Sequence, residues 1–161
     1  MKEKRIAVFA GSFDPITNGH VNIATRASAL FDEVVFLFAI NPNKKERFPL
    51  VDRMEAAKEA LGHLENVRVD SSLGYTVDYC RRVSARFLVR GIRDEKDLTY
   101  EKELASANKA LAPEIETVFL LTEEKYANVS STLIEEKFGK EDISDLVPEA
   151  TIKLYQNRQK P

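Results

Sequence analysis

The run Ile6-Ala7-Val8-Phe9-Ala10 leads directly into Gly11-Ser12-Phe13-Asp14-Pro15-Ile16-Thr17-Asn18-Gly19-His20. An apolar run of that length reads as a buried strand, and the residues after it as a loop of small and turn-forming types. The loop closes on Thr17-Asn18-Gly19-His20, where the next helix should begin. A helix start carries unpaired backbone N–H groups and the positive end of a dipole, so it suits an anion. A histidine there can donate a hydrogen bond to a phosphate. The stretch points to chemistry on a nucleotide phosphate.

Outward from it, β-rich runs are expected at 5–10, 34–40, 67–70, 87–90 and 117–121. Several are continuous in Val, Phe, Leu and Ile rather than alternating, as in strands covered on both faces. Helical patterns lie between them, at 19–31, 50–61, 76–84, 94–111 and 130–138. A last helix is expected from near Pro148 into the polar tail 156–161. Strand–helix alternation of this kind predicts an α/β, Rossmann-like fold: a five-stranded parallel sheet with helices on both faces, in a single domain over 1–161. Such sheets bind ligands beyond the carboxyl ends of their strands. Polar residues gather there: Ser12 and His20, then Asn43, Lys44 and Lys45, then 71–76, then Arg90, Gly91 and Arg93, then 126–132.

The 161 residues are 43% hydrophobic and 31% charged, with a formal net charge of -2. That balance provides no basic field for nucleic acid, so a bound polyanion should be small and held locally. One cysteine, Cys80, excludes an intrachain disulfide and fits a reducing compartment. No apolar run approaches a membrane span and no signal peptide is recognised, so the expected location is the cytoplasm.

Among candidate residues, Ser12 offers a hydroxyl and an N–H to a phosphate, and Asp14 is read as capping backbone groups rather than binding metal. His20 alone would read as a helix cap; the Gly-containing loop and the basic residues on the same rim favour phosphate chemistry. Arg90-Gly91-Ile92-Arg93 places two guanidiniums beside an apolar strand, which points to an anion. Ion pairs to Asp94, Glu95 or Asp97 are the competing expectation. Ser130-Ser131-Thr132 opens a helix with more hydroxyls than one N-cap needs, a second place for phosphate. Tyr126 would pack against a purine or against the core. Cys80 reads as a core thiol and His63 as a solvent-facing residue. Zinc spacing, a carboxylate dyad, the dinucleotide Gly-x-Gly-x-x-Gly and the P-loop pattern are absent from the sequence.

Thr17-Asn18-Gly19-His20 resembles the (Thr/His)-x-Gly-His motif of the nucleotidylyltransferase superfamily, and Val129-Ser130-Ser131-Thr132 its second phosphate motif. The string 11–20 with Lys44, Arg90-Gly91-Ile92-Arg93, Tyr100-Glu101 and Ser130-Ser131-Thr132 is similar to the bacterial phosphopantetheine adenylyltransferases over nearly the whole chain. The resemblance implies that His20 steadies the α-phosphate of ATP in the transition state. It implies that Ser12, Lys44, Thr76 and Arg90 bind 4′-phosphopantetheine. It assigns ATP to Ser12, Phe13, His20, Gly91, Ile92, Arg93, Glu101, Tyr126, Ala127, Asn128, Val129, Ser130, Ser131 and Thr132. Magnesium would arrive with ATP, with no metal site of the protein's own. Dephospho-CoA and CoA are further expected ligands, and a homohexamer the expected assembly. Ser12 stands where Thr is frequent, and Glu135 stands where the second motif often ends in Arg.

The implied reaction is in-line attack of the 4′-phosphopantetheine phosphate on the α-phosphorus of ATP, giving dephospho-CoA and pyrophosphate. Rival readings are a transferase for nicotinamide mononucleotide or glycerol phosphate, a non-catalytic nucleotide sensor, and a flavodoxin-like carrier. The reaction requires the His20 imidazole and the Arg90 guanidinium to open into one mouth.

Overall fold

Val34-Val35-Phe36-Leu37-Phe38 shows no alternation because both faces of its strand are covered: all five residues are buried. The computed structural model describes residues 3–158. Its strands are β1 (Ile6–Gly11), β2 (Glu33–Ile40), β3 (Val67–Leu73), β4 (Phe87–Ile92) and β5 (Glu116–Leu121). They form one parallel sheet in the order β3-β2-β1-β4-β5, as the sequence leads one to expect. The helices are α1 (Asn18–Leu30), α2 (Leu50–Leu61), α3 (Thr76–Arg82), α4 (Glu95–Leu111), α5 (Ser131–Lys137) and α6 (Glu149–Arg158). A single 3-10 turn, Glu124–Tyr126, precedes α5 and is not foreseen from the sequence.

Successive residues of a strand point to opposite faces, so each strand feeds two packing layers. Ala7, Phe9, Val34, Phe36 and Phe38 pack against Ile23, Ala24 and Ala27 of α1 and Ala56, Ala57 and Leu61 of α2. Val8, Ala10, Val35 and Leu37 pack the other way, against Val77, Tyr79 and Cys80 of α3. Each large side chain so buried contributes roughly 1.5–3 kcal/mol. Cys80 is a core thiol, and burial pushes its pKa up to about 12.

Two strands run further than expected. β3 continues through Ser71-Ser72-Leu73, which pair with Phe38, Ala39 and Ile40. β4 continues through Gly91 and Ile92, which pair with Leu120 and Leu121. Arg90 therefore lies inside a strand rather than at its end. Gly91 serves close packing: a Cβ there would meet the Ile23 side chain at 3.3 Å. The last helix begins as expected, and the part of that expectation falling on 159–161 lies outside the described residues.

A third apolar cluster joins Phe48, Val129, Ile134, Ile143, Val147 and Tyr155. It binds the C-terminal segment to the loops at the strand ends. The Thr151 hydroxyl donates to Ile16 O at 2.7 Å, and Asn18 N–H donates to Leu146 O at 2.9 Å. The β1–α1 loop is thus held from behind by residues more than a hundred positions away. Chain order places β1 and β4 side by side where the winding of the sheet reverses, and open α/β sheets bind ligands at such a point.

Candidate active site

At that reversal lies a cavity of about 320 Å³, lined from β1 by Phe9, Ala10 and Gly11 and from β4 by Arg90 and Gly91. His20 enters it from the first turn of α1. Thr17 is the N-cap of α1: its hydroxyl accepts from His20 N, while His20 Nδ1 accepts from Thr17 N–H at 3.0 Å. This reciprocal cap fixes the ring. Burial, and then the charge of Arg93, push the His20 pKa down to about 4. The ring is neutral at pH 7, and with Nδ1 accepting, its proton sits on Nε2. Nε2–H is then the free donor of a residue that lines the cavity. The Phe13 ring packs edge-on to His20 with centroids 5.0 Å apart, and stacks on Phe36. Phe13 has φ +42, a conformation its buried ring holds in place.

Arg90 opens into the same cavity as His20. Its Nε and Nη2 donate to the two carboxylate oxygens of Glu101 at 2.7 and 2.6 Å, and its Nη1 donates to Ala10 O at 2.8 Å. Glu101 is the one buried residue of α4, so that helix is docked on the sheet by an ion pair rather than by an apolar stripe. The Glu101 carboxylate, which the resemblance gives to ATP, has both oxygens on Arg90. Arg93 also has a partner: its Nε donates to Asp97 at 3.0 Å, the ion pair that was the competing expectation for this residue. Burial raises the Asp97 pKa, but its bonds to Arg93 outweigh that and leave it below the usual value.

A second cavity, of about 280 Å³, is lined by Ser12, Asp14, Lys44, Lys45, Arg47, Ser131 and Thr132. Ser12 and Ser131 line both cavities, so they form the seam between them. Lys44 Nζ donates to Ser12 Oγ at 3.0 Å, which puts this lysine at the seam. Asp14 is buried, and its oxygens accept from Arg47 N at 2.6 Å and Phe48 N at 3.0 Å. The hydroxyls that open α5 are each engaged: Ser130 accepts from Leu133 N, Ser131 donates to Pro15 O, and Thr132 accepts from Arg47 Nη2.

Of the residues singled out in the sequence, Ser12, Phe13, His20, Arg90, Gly91, Arg93, Glu101, Tyr126, Val129, Ser130 and Ser131 line the first cavity. Lys44 and Thr132 line the second. Thr76, Ile92, Ala127 and Asn128 line neither, Thr76 standing at the start of α3 beyond the edge strand β3. Asp97, Thr122 and Arg47 are lining residues that sequence reading does not propose for the site. Thr122 directly follows β5, which is a usable signal. Arg47 follows Lys44-Lys45-Glu46 in a loop that reads as ordinary solvated charge.

The model of the cytidylyltransferase-like family matches residues 8–137. A phosphopantetheine adenylyltransferase of Shouchella clausii is 44% identical over 144 residues, 89% of this chain and 91% of the relative. That of Heliobacterium modesticaldum is 46% identical over 149 residues, 91% of this chain and 88% of the relative. That of Alkaliphilus metalliredigens is 40% identical over 156 residues, 96% of this chain and 99% of the relative.

Proposed function

We propose, from the premise that the chain belongs to the cytidylyltransferase-like family and within it to the phosphopantetheine adenylyltransferases, that it transfers the adenylyl group of ATP to 4′-phosphopantetheine. The products are dephospho-CoA and pyrophosphate, a step of coenzyme A biosynthesis. One observation supports this reading above the rest. His20 and Arg90 open into one cavity, and Ser12 joins that cavity to one lined by Lys44. Two anionic reactants can therefore meet at one point.

An oxygen of the acceptor phosphate attacks the α-phosphorus, and the bond to the bridging oxygen of pyrophosphate breaks. The nucleophile is already an anion, so the protein's task is to position it and to stabilise charge. Lys44 and Arg90 hold the acceptor phosphate in this reading. His20 Nε2–H donates to an α-phosphate oxygen as charge grows there, a donor that needs no protonation at neutral pH. Glu101 acts through Arg90, which it aims. Gly91, Ile92, Arg93 and 126–132 surround the nucleotide, and Thr76 borders the pantetheine arm. Magnesium would be supplied with ATP and would neutralise phosphate charge, leaving positioning to Lys44, Arg90 and His20. No group of three or more His, Cys, Asp or Glu able to hold a metal is present among the described residues.

Dephospho-CoA and CoA are ligands of the same site. The location is the cytoplasm; no helix among the described residues is long and apolar enough to cross a membrane. The assembly is a homohexamer, and the exposed Leu98, Tyr100 and Leu111 of α4 with Phe119 and Leu121 of β5 support burial against further copies. Light scattering after gel filtration tests the assembly. The function is tested by pyrophosphate release from ATP with 4′-phosphopantetheine, nicotinamide mononucleotide or glycerol phosphate as acceptor. Release with the first alone is expected; release with another acceptor instead contradicts the assignment.

A further inference from the structure

We infer that Arg47 binds the leaving pyrophosphate, the β- and γ-phosphates of ATP; the assignment rests on the adenylyl-transfer reading above. Nothing in the motifs singled out from the sequence points to this residue. The structure places it between two parts of the site. Its Nη1 donates to Asp14 O and its Nη2 to Thr132 Oγ1, both at 3.0 Å, so the guanidinium bridges the β1–α1 loop and the start of α5. A guanidinium carries five N–H donors. Those on Nε and one on each terminal nitrogen of Arg47 have no acceptor among the described residues.

The charge balance around Arg47 is what carries the inference. Lys44, Lys45 and Arg47 line the second cavity, and none of their side-chain nitrogens has a carboxylate oxygen within 4.0 Å among the described residues. The nearby acids are bonded to groups other than these side-chain cations. Asp14 caps the N–H groups of Arg47 and Phe48, and Glu46 turns away to Arg53 at 2.7 Å. The other side-chain oxygens in the lining are the hydroxyls of Ser12, Ser131 and Thr132. Unneutralised cations and hydroxyls together match a dense polyanion, and the planar fork of arginine suits phosphate oxygens.

Position agrees with charge. The second cavity meets the first at Ser12 and Ser131. An α-phosphate at His20 leaves the rest of a triphosphate free to cross that seam toward Arg47. When the bond from α-phosphorus to the bridging oxygen breaks, pyrophosphate takes the electron pair, and the added charge falls beside Arg47 and Lys45. Arg47 is exposed, so the product held there can leave to solvent.

The test uses the full chain with Arg47→Met and Arg47→Lys. Calorimetry measures binding of inorganic pyrophosphate, ATP and dephospho-CoA, the last of which lacks the β- and γ-phosphates. Arg47→Met should weaken pyrophosphate and ATP by roughly 10–100-fold, the range for a lost hydrogen bond to a charged group. Dephospho-CoA should bind as before. Arg47→Lys should restore part of the loss, keeping the charge without the fork. Unchanged pyrophosphate affinity in Arg47→Met overturns the assignment. So does an equal loss for all three ligands, because that marks a residue that only shapes the loop. A wild-type chain releasing no pyrophosphate from ATP and 4′-phosphopantetheine overturns the transfer reading alone. The pyrophosphate titration then still decides Arg47.

Discussion

The two cavities share Ser12 and Ser131 but treat charge in opposite ways. In the first, Arg90 is held by Glu101 and Arg93 by Asp97, and His20 is neutral. In the second, Lys44, Lys45 and Arg47 face hydroxyls and one carboxylate already occupied by backbone N–H groups. Paired charges hold fixed geometry and add little net field; unpaired ones add field and little geometry. The first cavity is therefore suited to placing reacting atoms, and the second to drawing in and releasing a polyanion. The same guanidinium group serves both purposes, and its carboxylate partner or the lack of one decides which.

The largest expected effect breaks the first cavity and spares the second. His20→Ala should lower turnover by about 10²–10³, the usual result of removing one preorganised donor. ATP binding, measured by calorimetry, should be close to normal, because the cations of both cavities are untouched. Near-normal turnover would remove His20 from the mechanism.

Acid should act on the first cavity through His20. The folded-state pKa of His20, about 4, lies below its ordinary 6.5. Between those values the unfolded chain holds the proton and the folded chain does not. Stability is therefore full above pH 6.5 and falls as pH drops toward 4, by on the order of 3 kcal/mol. Chemical denaturation across pH 4–7 in wild type and His20→Gln should show that slope only in the former.

Glu101→Gln should make the first cavity resemble the second by freeing Arg90. Breaking a fully buried pair costs about 3–5 kcal/mol, and Arg90 retains some exposure, so a loss of roughly 2–3 kcal/mol is expected. A fall in kcat with little change in the KM for ATP would accompany it. A stability loss with unchanged kcat would mean that Glu101 only docks α4.

The smallest effect sharpens the contrast. Lys45→Met should raise the KM for ATP by roughly two- to five-fold, as suits an exposed charge. Added salt should raise the wild-type KM for ATP and do so less in the variant, because exposed cations are screened while the paired ones are not. Equal salt sensitivity in both would place Lys45 outside the field that ATP feels.

Much of this arrangement is legible in the sequence, and the reasons differ by residue. The continuous apolar run in β2 reports burial on both faces, so the parallel sheet follows from local pattern. Thr17 and His20 are three residues apart, and a helix start alone brings them together. The ends of β3 and β4 are misjudged, because Ser71, Ser72 and Gly91 are poor strand formers recruited by pairing with neighbours. Glu101 reads as a solvated helix residue until the strand bearing Arg90 lies beneath it. Arg47 is hardest to foresee, since its contact with Thr132 joins positions 85 residues apart. The apolar cluster around Tyr155, which supports the loops from behind, likewise depends on a C-terminal segment with a weak pattern of its own.

The most direct test of a single displacement at the seam between the cavities is its stereochemical course. ATP made chiral at the α-phosphorus should give dephospho-CoA with the configuration inverted, as one in-line step between two bound phosphates requires. Retention would reveal an adenylyl group first taken up by the protein, and would contradict direct transfer with His20 as a neutral donor.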